Sequence, residues 1–154
     1  MASVVESIDV KVPVSTAYNQ WTQFEDFPQF MEGVRSVRQT DDTHLHWTAE
    51  VGGVEKEWDA TISEQHPDER VAWNATSGAA NAGVVTFHRL DDETTRVTLQ
   101  MDVDPEGAVE NVGTALGFLE RRVKGDLERF KEFIESRGSE TGAWRGEVEA
   151  TAQR

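Results

Sequence analysis

Apolar and polar residues alternate with period two through several stretches of this chain, and recur at intervals of three and four in others. In the first stretch, Val4, Ile8, Val10 and Val12 share one phase while Ser7, Asp9 and Lys11 take the other, which predicts a strand closed by Pro13. Val14, Ala17, Tyr18, Trp21 and Phe24 then fall on one helical stripe, with Ser15 placed to cap it. Phe24 to Met31 reads as a second short helix that tolerates Pro28 near its start. Strand patterns follow at Val34–Thr40, His44–Val51, Glu55–Gln65, Arg70–Thr76, Gly83–Leu90 and Thr94–Val103. The turn formers Asp41-Asp42, Gly52-Gly53, Pro67-Asp68, Ser77 to Asn81 and Asp91-Asp92 separate them. Consecutive strands with no helix between them imply an antiparallel meander.

Asp104-Pro105-Glu106 is a helix-start signature, a capping carboxylate followed by proline at the first helical position. Val109, Val112, Leu116, Leu119, Val123, Leu127, Phe130 and Ile134 then form an apolar stripe, opposed by Glu110, Arg121, Arg122, Glu128, Arg129 and Glu132. Gly138 stands where a left-handed C-terminal cap belongs. A helix from about residue 105 to 137 would be roughly 50 Å long, with Gly113 and Gly117 allowing a bend. Such a stripe needs a sheet to cover it. The expected architecture is therefore α+β, one domain over residues 1–138 followed by a polar, mobile tail over 139–154. Trp144 is the odd residue of that tail, either a ring docked on the domain or an element for a partner.

Strand phase also assigns faces. Leu45, Trp47, Ala49 and Val51 share one side, as do Lys56, Trp58, Ala60 and Ile62 on the next strand and Val71, Trp73 and Ala75 on the one after. Gly83, Val85, Phe87 and Arg89, then Val97, Leu99, Met101 and Val103, complete the set. Trp47, Trp58, Trp73, Phe87 and Met101, with Leu116 from the helix, are thus expected to line the concave interior. A sheet curved around one helix leaves volume that side chains fill or a ligand occupies. Lys56 and Arg89 are the charges in the inward phase. Burying them unpaired is costly, so they are expected at a rim, meeting a ligand carboxylate or phosphate or simply reaching solvent.

Composition narrows the function classes. The 154 residues carry a net charge of −14, which repels phosphate backbones and argues against nucleic-acid partners and anionic membranes. There is no cysteine, so disulfides and thiolate chemistry are excluded. No apolar run reaches the roughly 18 residues of a membrane span, and Met1 to Ser7 lacks the pattern of a signal peptide, so a cytoplasmic protein is expected. His44-x-His46 has a spacing that metal sites use, but its phase points outward, and neither His66 nor His88 stands out as a general base. No phosphate loop, nucleophile elbow or zinc-helix motif occurs, and neither metal nor cofactor is expected. For acid–base work the interior offers only Tyr18, Lys56 and Arg89, with Asn74 and Asn81 as possible carbonyl orienters. No catalytic set is assigned.

The segment Val10-x-Val12-Pro13-Val14-Ser15-Thr16-Ala17-Tyr18, Trp21, then Phe24-Glu25-Asp26-Phe27-Pro28-Gln29-Phe30-Met31-Glu32-Gly33-Val34-x-Ser36-Val37 resembles the opening of the polyketide cyclase/dehydrase family. That family belongs to the START/Bet v 1-like (SRPBCC) superfamily. Gly83 to Phe87, Thr95 to Leu99, and Leu127-x-x-Phe130-Lys131-x-Phe133-Ile134-Glu135 resemble its last two strands and final helix. The resemblance covers residues 3–137 and implies the helix-grip fold, a seven-stranded curved sheet around a long C-terminal helix. It implies for function either binding or transport of a hydrophobic small molecule (lipid, quinone or polyketide) or an aromatic polyketide cyclase/dehydratase activity. Trp144 and the acidic surface keep a third reading open, a protein-interaction or stress-related adaptor. Oligomeric state is not encoded in these patterns.

Overall fold

The computed structural model describes residues 2–31, 33–51, 53–76, 81–103 and 112–148. The chain runs β1 (Ala2–Val10), α1 (Val14–Trp21), a 3₁₀ helix (Phe24–Gln29), β2 (Val34–Asp41), β3 (His44–Val51) and β4 (Val54–His66). It continues through β5 (Arg70–Ala75), β6 (Asn81–Asp91), β7 (Thr94–Val103) and α2 (Val112–Arg137). The strands form one antiparallel seven-stranded sheet in the order β1-β7-β6-β5-β4-β3-β2. Strands β2 to β7 are a meander, and β1 closes it by pairing with β7 from Ala2↔Val103 to Val10↔Thr95. This is the α+β helix-grip architecture that the sequence implies.

Turn chemistry sets the hairpins. Asp41 Oδ1 accepts from the Thr43 amide at 2.9 Å, and Asp91 Oδ1 from the Glu93 amide at 2.8 Å, so the two Asp-Asp turns close in the same way. The first helix differs from expectation at its start. Pro13, not Ser15, is the N-cap, with its carbonyl accepting from the Ala17 amide at 3.1 Å. The second short helix is 3₁₀, and Pro28, which has no N–H to donate, lies toward its end and not near its start. A bulge between Ile62 and Glu64 shifts the phase of β4, and Gln65, which plain alternation would turn outward, is buried.

Helix α2 has 26 residues, about 39 Å at 1.5 Å per residue, and ends at Gly138 with φ +76°. The helix-start signature at 104–106 and the loop at 77–80 lie outside the described residues. The C-terminal half of α2 is fastened to the end of β1: Lys131 Nζ donates to the Asp9 carbonyl at 3.0 Å, and Glu135 accepts from the Lys11 amide at 2.7 Å.

Rings fill this end of the concave face. Trp21 meets Phe130 at 5.1 Å and Phe27 at 5.4 Å between centroids, and Phe30 meets Phe130 at 5.2 Å, in tilted or edge-on pairs. Leu127, Ile134, Val85 and Val97 complete the packing, all fully buried or nearly so. Residues 139–148, expected to be mobile, cross α1 and end in an antiparallel bridge between Val148 and Gln65.

Candidate functional site

The other end of the concave face is not filled. Between β3, β4, β5, β7 and α2 lies a cavity of about 160 Å³. Its wall from the sheet is Trp47 and Ala49 of β3, Trp58 of β4, Trp73 of β5, and Leu99 and Met101 of β7. Met31, before β2, and Val34, its first residue, close one side, and Leu119 and Val123 of α2 close another. Arg122 and Asp126 are the two polar members of the lining.

Register explains the aromatic wall. Trp47 and Trp58 are direct cross-strand partners, and their indoles stack at 5.8 Å with 9° between planes. Trp73 is paired with Gly83 of β6, and a Cβ at position 83 would stand 2.5 Å from Trp73 Cζ2 and 3.0 Å from Met101 Sδ. Glycine therefore lets the Trp73 ring lie against the sheet instead of standing into the cavity. The Trp47 and Trp58 Nε1 groups are shut off from solvent and have no hydrogen-bond partner.

The polar members are positioned from α2 onto the loop before β2. A Cβ at Gly33 (φ +89°) would lie 2.4 Å from Arg122 Nη1 and 3.0 Å from the Glu50 carbonyl oxygen, so Arg122 rests directly on backbone. Asp126 accepts from Arg129 Nη2, and Arg129 Nε donates to the Phe30 carbonyl at 3.0 Å. Together these contacts tie Phe30 and Gly33 to the helix.

The sequence-predicted residues divide. Trp47, Trp58, Trp73 and Met101 meet at the cavity. Phe87 has the inward phase but sits under α1, 5.5 Å from Tyr18 and 6.5 Å from Trp21, in the filled end. Lys56 is exposed opposite Ala49, and Arg89 is exposed and paired with Asp92 of its own turn; neither lines the cavity. The side chain of Leu116 lies outside the described residues. Arg122 and Asp126, by contrast, have no place in the predicted lining, because Arg122 falls on the helix's polar face. The signal was present in their spacing: 119, 122, 123 and 126 follow the i, i+3, i+4, i+7 rule from Leu119.

Several titratable groups outside the cavity have local partners. His46 Nδ1 meets Asp59 at 2.7 Å and its Nε2 meets Glu57 at 3.0 Å, and these two bonds hold the imidazole pKa above its ordinary value. His44 meets Asp41 at 2.8 Å, and His66 meets Glu64 at 3.1 Å. The Thr43 amide and His44 hold Asp41 below the usual carboxylate range. Burial pushes the Tyr18 phenol up, which keeps it protonated at neutral pH. Among the described residues no three His, Cys, Asp or Glu are grouped to hold a metal ion, and no helix is long and apolar enough to cross a membrane.

A profile of the family described as "Polyketide cyclase / dehydrase and lipid transport" matches residues 10–132. The chain belongs to this family. It is 64% identical over 149 residues to an uncharacterized 17.2 kDa protein from the melC2-rnhH intergenic region of Streptomyces lincolnensis, covering 96% of this chain and 99% of that one. The fold matches the Zhui aromatase/cyclase from Streptomyces sp. R1128 with a TM-score of 0.73 at 14% identity, over 93% of this chain and 99% of that one. It matches a START superfamily protein from Mycobacterium smegmatis with a TM-score of 0.66 at 15% identity, over 88% and 95%. At such identities the two solved structures show a shared fold. The cavity lies where the sheet and the last helix face each other, and family membership does not name an occupant.

Proposed function

We propose that this protein binds a compact hydrophobic molecule of one or two rings, bearing an oxygen, in the cavity between the Trp wall and α2. The carrying observation is the void itself, about 160 Å³ lined by ten apolar residues with Arg122 and Asp126 as the polar exception. A dry apolar cavity of about 150 Å³ is known to hold benzene, so the scale suits a ring system better than a full acyl chain. The proposed contacts are Trp47, Trp58, Trp73, Met101 and Leu119, with Arg122 at the polar part of the wall. An unpartnered buried N–H costs about 1–3 kcal/mol. A ligand oxygen that reached Trp47 or Trp58 Nε1 would therefore give an oxygenated ring system an advantage over a plain hydrocarbon. Quinones and aromatic polyketide products share this chemistry. Titration with 2-naphthol and with naphthalene, followed by Trp fluorescence, should show saturable binding of both and tighter binding of 2-naphthol. Linear, unsaturable quenching by both would overturn the proposal.

Catalysis of polyketide cyclisation is the second reading, supported by Arg122 and Asp126, which put a cation and a carboxylate on the wall of an otherwise apolar cavity. If it holds, turnover of a poly-β-keto substrate disappears in Arg122→Ala while 2-naphthol still binds. Undiminished turnover in that variant would remove these two residues from any reaction.

A further inference from the structure

A second, polar binding feature lies on the far side of α1. Among the described residues the buried polar side chains are Asn19, Gln20, Thr22, Gln65 and Thr95. All but Thr95 lie in one groove, between the end of α1 and the edge of β4, beneath residues 139–148. The β3–β4 ladder stops at His44↔Thr61, so beyond it β4 offers an edge that β3 does not cover. Val148 takes that edge: the Gln65 amide donates to its carbonyl at 2.8 Å, and its amide donates to the Gln65 carbonyl at 2.9 Å.

The groove reads the segment at two further places. Gln20 grips Thr141 twice, its Oε1 accepting from the Thr141 amide at 2.9 Å and its Nε2 donating to Thr141 Oγ1 at 3.1 Å. Arg145 donates to Asn19 Oδ1 at 2.7 Å, pairs with Asp68 at 2.9 Å, and lies 5.5 Å over the Tyr18 ring. Thr22 Oγ1 accepts from the Trp144 amide at 3.1 Å between these points.

This is β-edge addition with side-chain readers, a mode by which proteins bind extended peptides. The occupant does not use all that the site offers. Asp68 Oδ1 is shut off from solvent without a hydrogen-bond partner, and the buried Tyr18 hydroxyl and Gln65 side-chain amide have no partner besides each other. Buried polar groups are ordinarily satisfied, so the groove has recognition capacity that residues 139–148 leave unused.

We propose that this groove is a binding site for an extended polypeptide bearing a hydroxyl residue and, four residues on, an arginine, and that residues 139–148 of the chain hold it closed from within. The foreign segment competes with a tethered one, whose effective concentration is of millimolar order. Binding in trans thus requires the internal segment to be released. The site is separate from the Trp-lined cavity, and the proposal does not depend on what that cavity holds.

Hydrogen exchange and peptide binding on the full chain test it. In the wild type the amides of Thr141, Trp144 and Val148 exchange at least about a hundredfold more slowly than in a free peptide. The full chain carrying both Thr141→Val and Arg145→Ala, two exposed positions, keeps its thermal transition and loses that protection. A fluorescein-labelled peptide with the sequence of residues 139–148 binds this variant one-to-one, at least about tenfold more tightly than it binds the wild type. The same peptide with its arginine replaced by alanine does not bind. Free-peptide exchange rates in the wild type would overturn the proposal. So would protection that survives both substitutions, or a folded variant that takes up neither peptide or both equally.

Discussion

Gly83→Ala probes the aromatic wall most sharply. The added Cβ would stand 2.5 Å from Trp73 Cζ2 and 2.8 Å from its Cε2, so restoring a contact of 3.4 Å moves the indole by about 0.9 Å. The ring is rigid, Met101 Sδ stands 3.0 Å from the same Cβ, and the cavity that Trp73 borders is the open space into which the indole can move. Overpacking of this kind costs about 1–3 kcal/mol. At about 2–4 °C per kcal/mol for a chain of this size, the melting temperature falls by roughly 2–12 °C. Adding Trp73→Leu removes the clashing ring, so the double variant loses less than the sum of the singles, with a coupling of about 1 kcal/mol or more. Thermal melts of the four proteins supply the cycle, and 2-naphthol titrations of the same proteins show weaker binding in Gly83→Ala. Strict additivity, or a Gly83→Ala melt unchanged within 1 °C, would mean that Trp73 does not lie over Gly83, and the described wall would be wrong.

Other perturbations give different signatures. Phe130→Ala opens the filled end, where the ring meets Trp21 and Phe30, and should cost about 3–5 kcal/mol in denaturant unfolding without weakening 2-naphthol. Gly33→Ala combines a positive φ with a Cβ 2.4 Å from Arg122 Nη1 and should destabilise by about 1–2 kcal/mol, with Gly33→Asn milder than Gly33→Val. His46 has its folded pKa raised by Asp59 and Glu57, so its contribution is fully present below the unfolded value near 6.5 and is lost as pH rises through the folded value. Melting temperatures of wild type and His46→Gln should therefore differ more at pH 5 than at pH 9; an equal or reversed gap would show that the pair does not couple to folding.

Strand and helix placement was legible because each element carries its own period. The meander from β2 to β7 can be read from alternation broken by Asp-Asp and Gly-Gly turns, and β3 and β7 begin and end where the pattern does. Phase put Trp47, Trp58 and Trp73 on one face for the same reason. Phase gives a face, however, and not a position along it. Phe87 and Met101 share the inward phase, yet α1 covers one and the cavity borders the other. Gln65 was hidden by a bulge, which slips the period locally without leaving a mark in hydrophobicity. The polar pattern over 139–154 predicts a mobile tail, and it does not report the contacts of residues 139–148 to Asn19, Gln20 and Thr22, because these are hydrogen bonds between polar residues that leave no apolar periodicity.

The claim that carries the account is that the space beside Trp47, Trp58 and Trp73 accepts a guest. Ala49 lines that space, and Ala49→Leu puts a branched side chain into it. Calorimetric titration of wild type and Ala49→Leu with 2-naphthol at two temperatures tests the claim directly. The wild type should bind one molecule with a negative heat-capacity change, the mark of apolar burial, and Ala49→Leu should bind at least about tenfold more weakly, as loss of 1.4 kcal/mol implies. Equal affinities, or no saturable heat with the wild type, would contradict it.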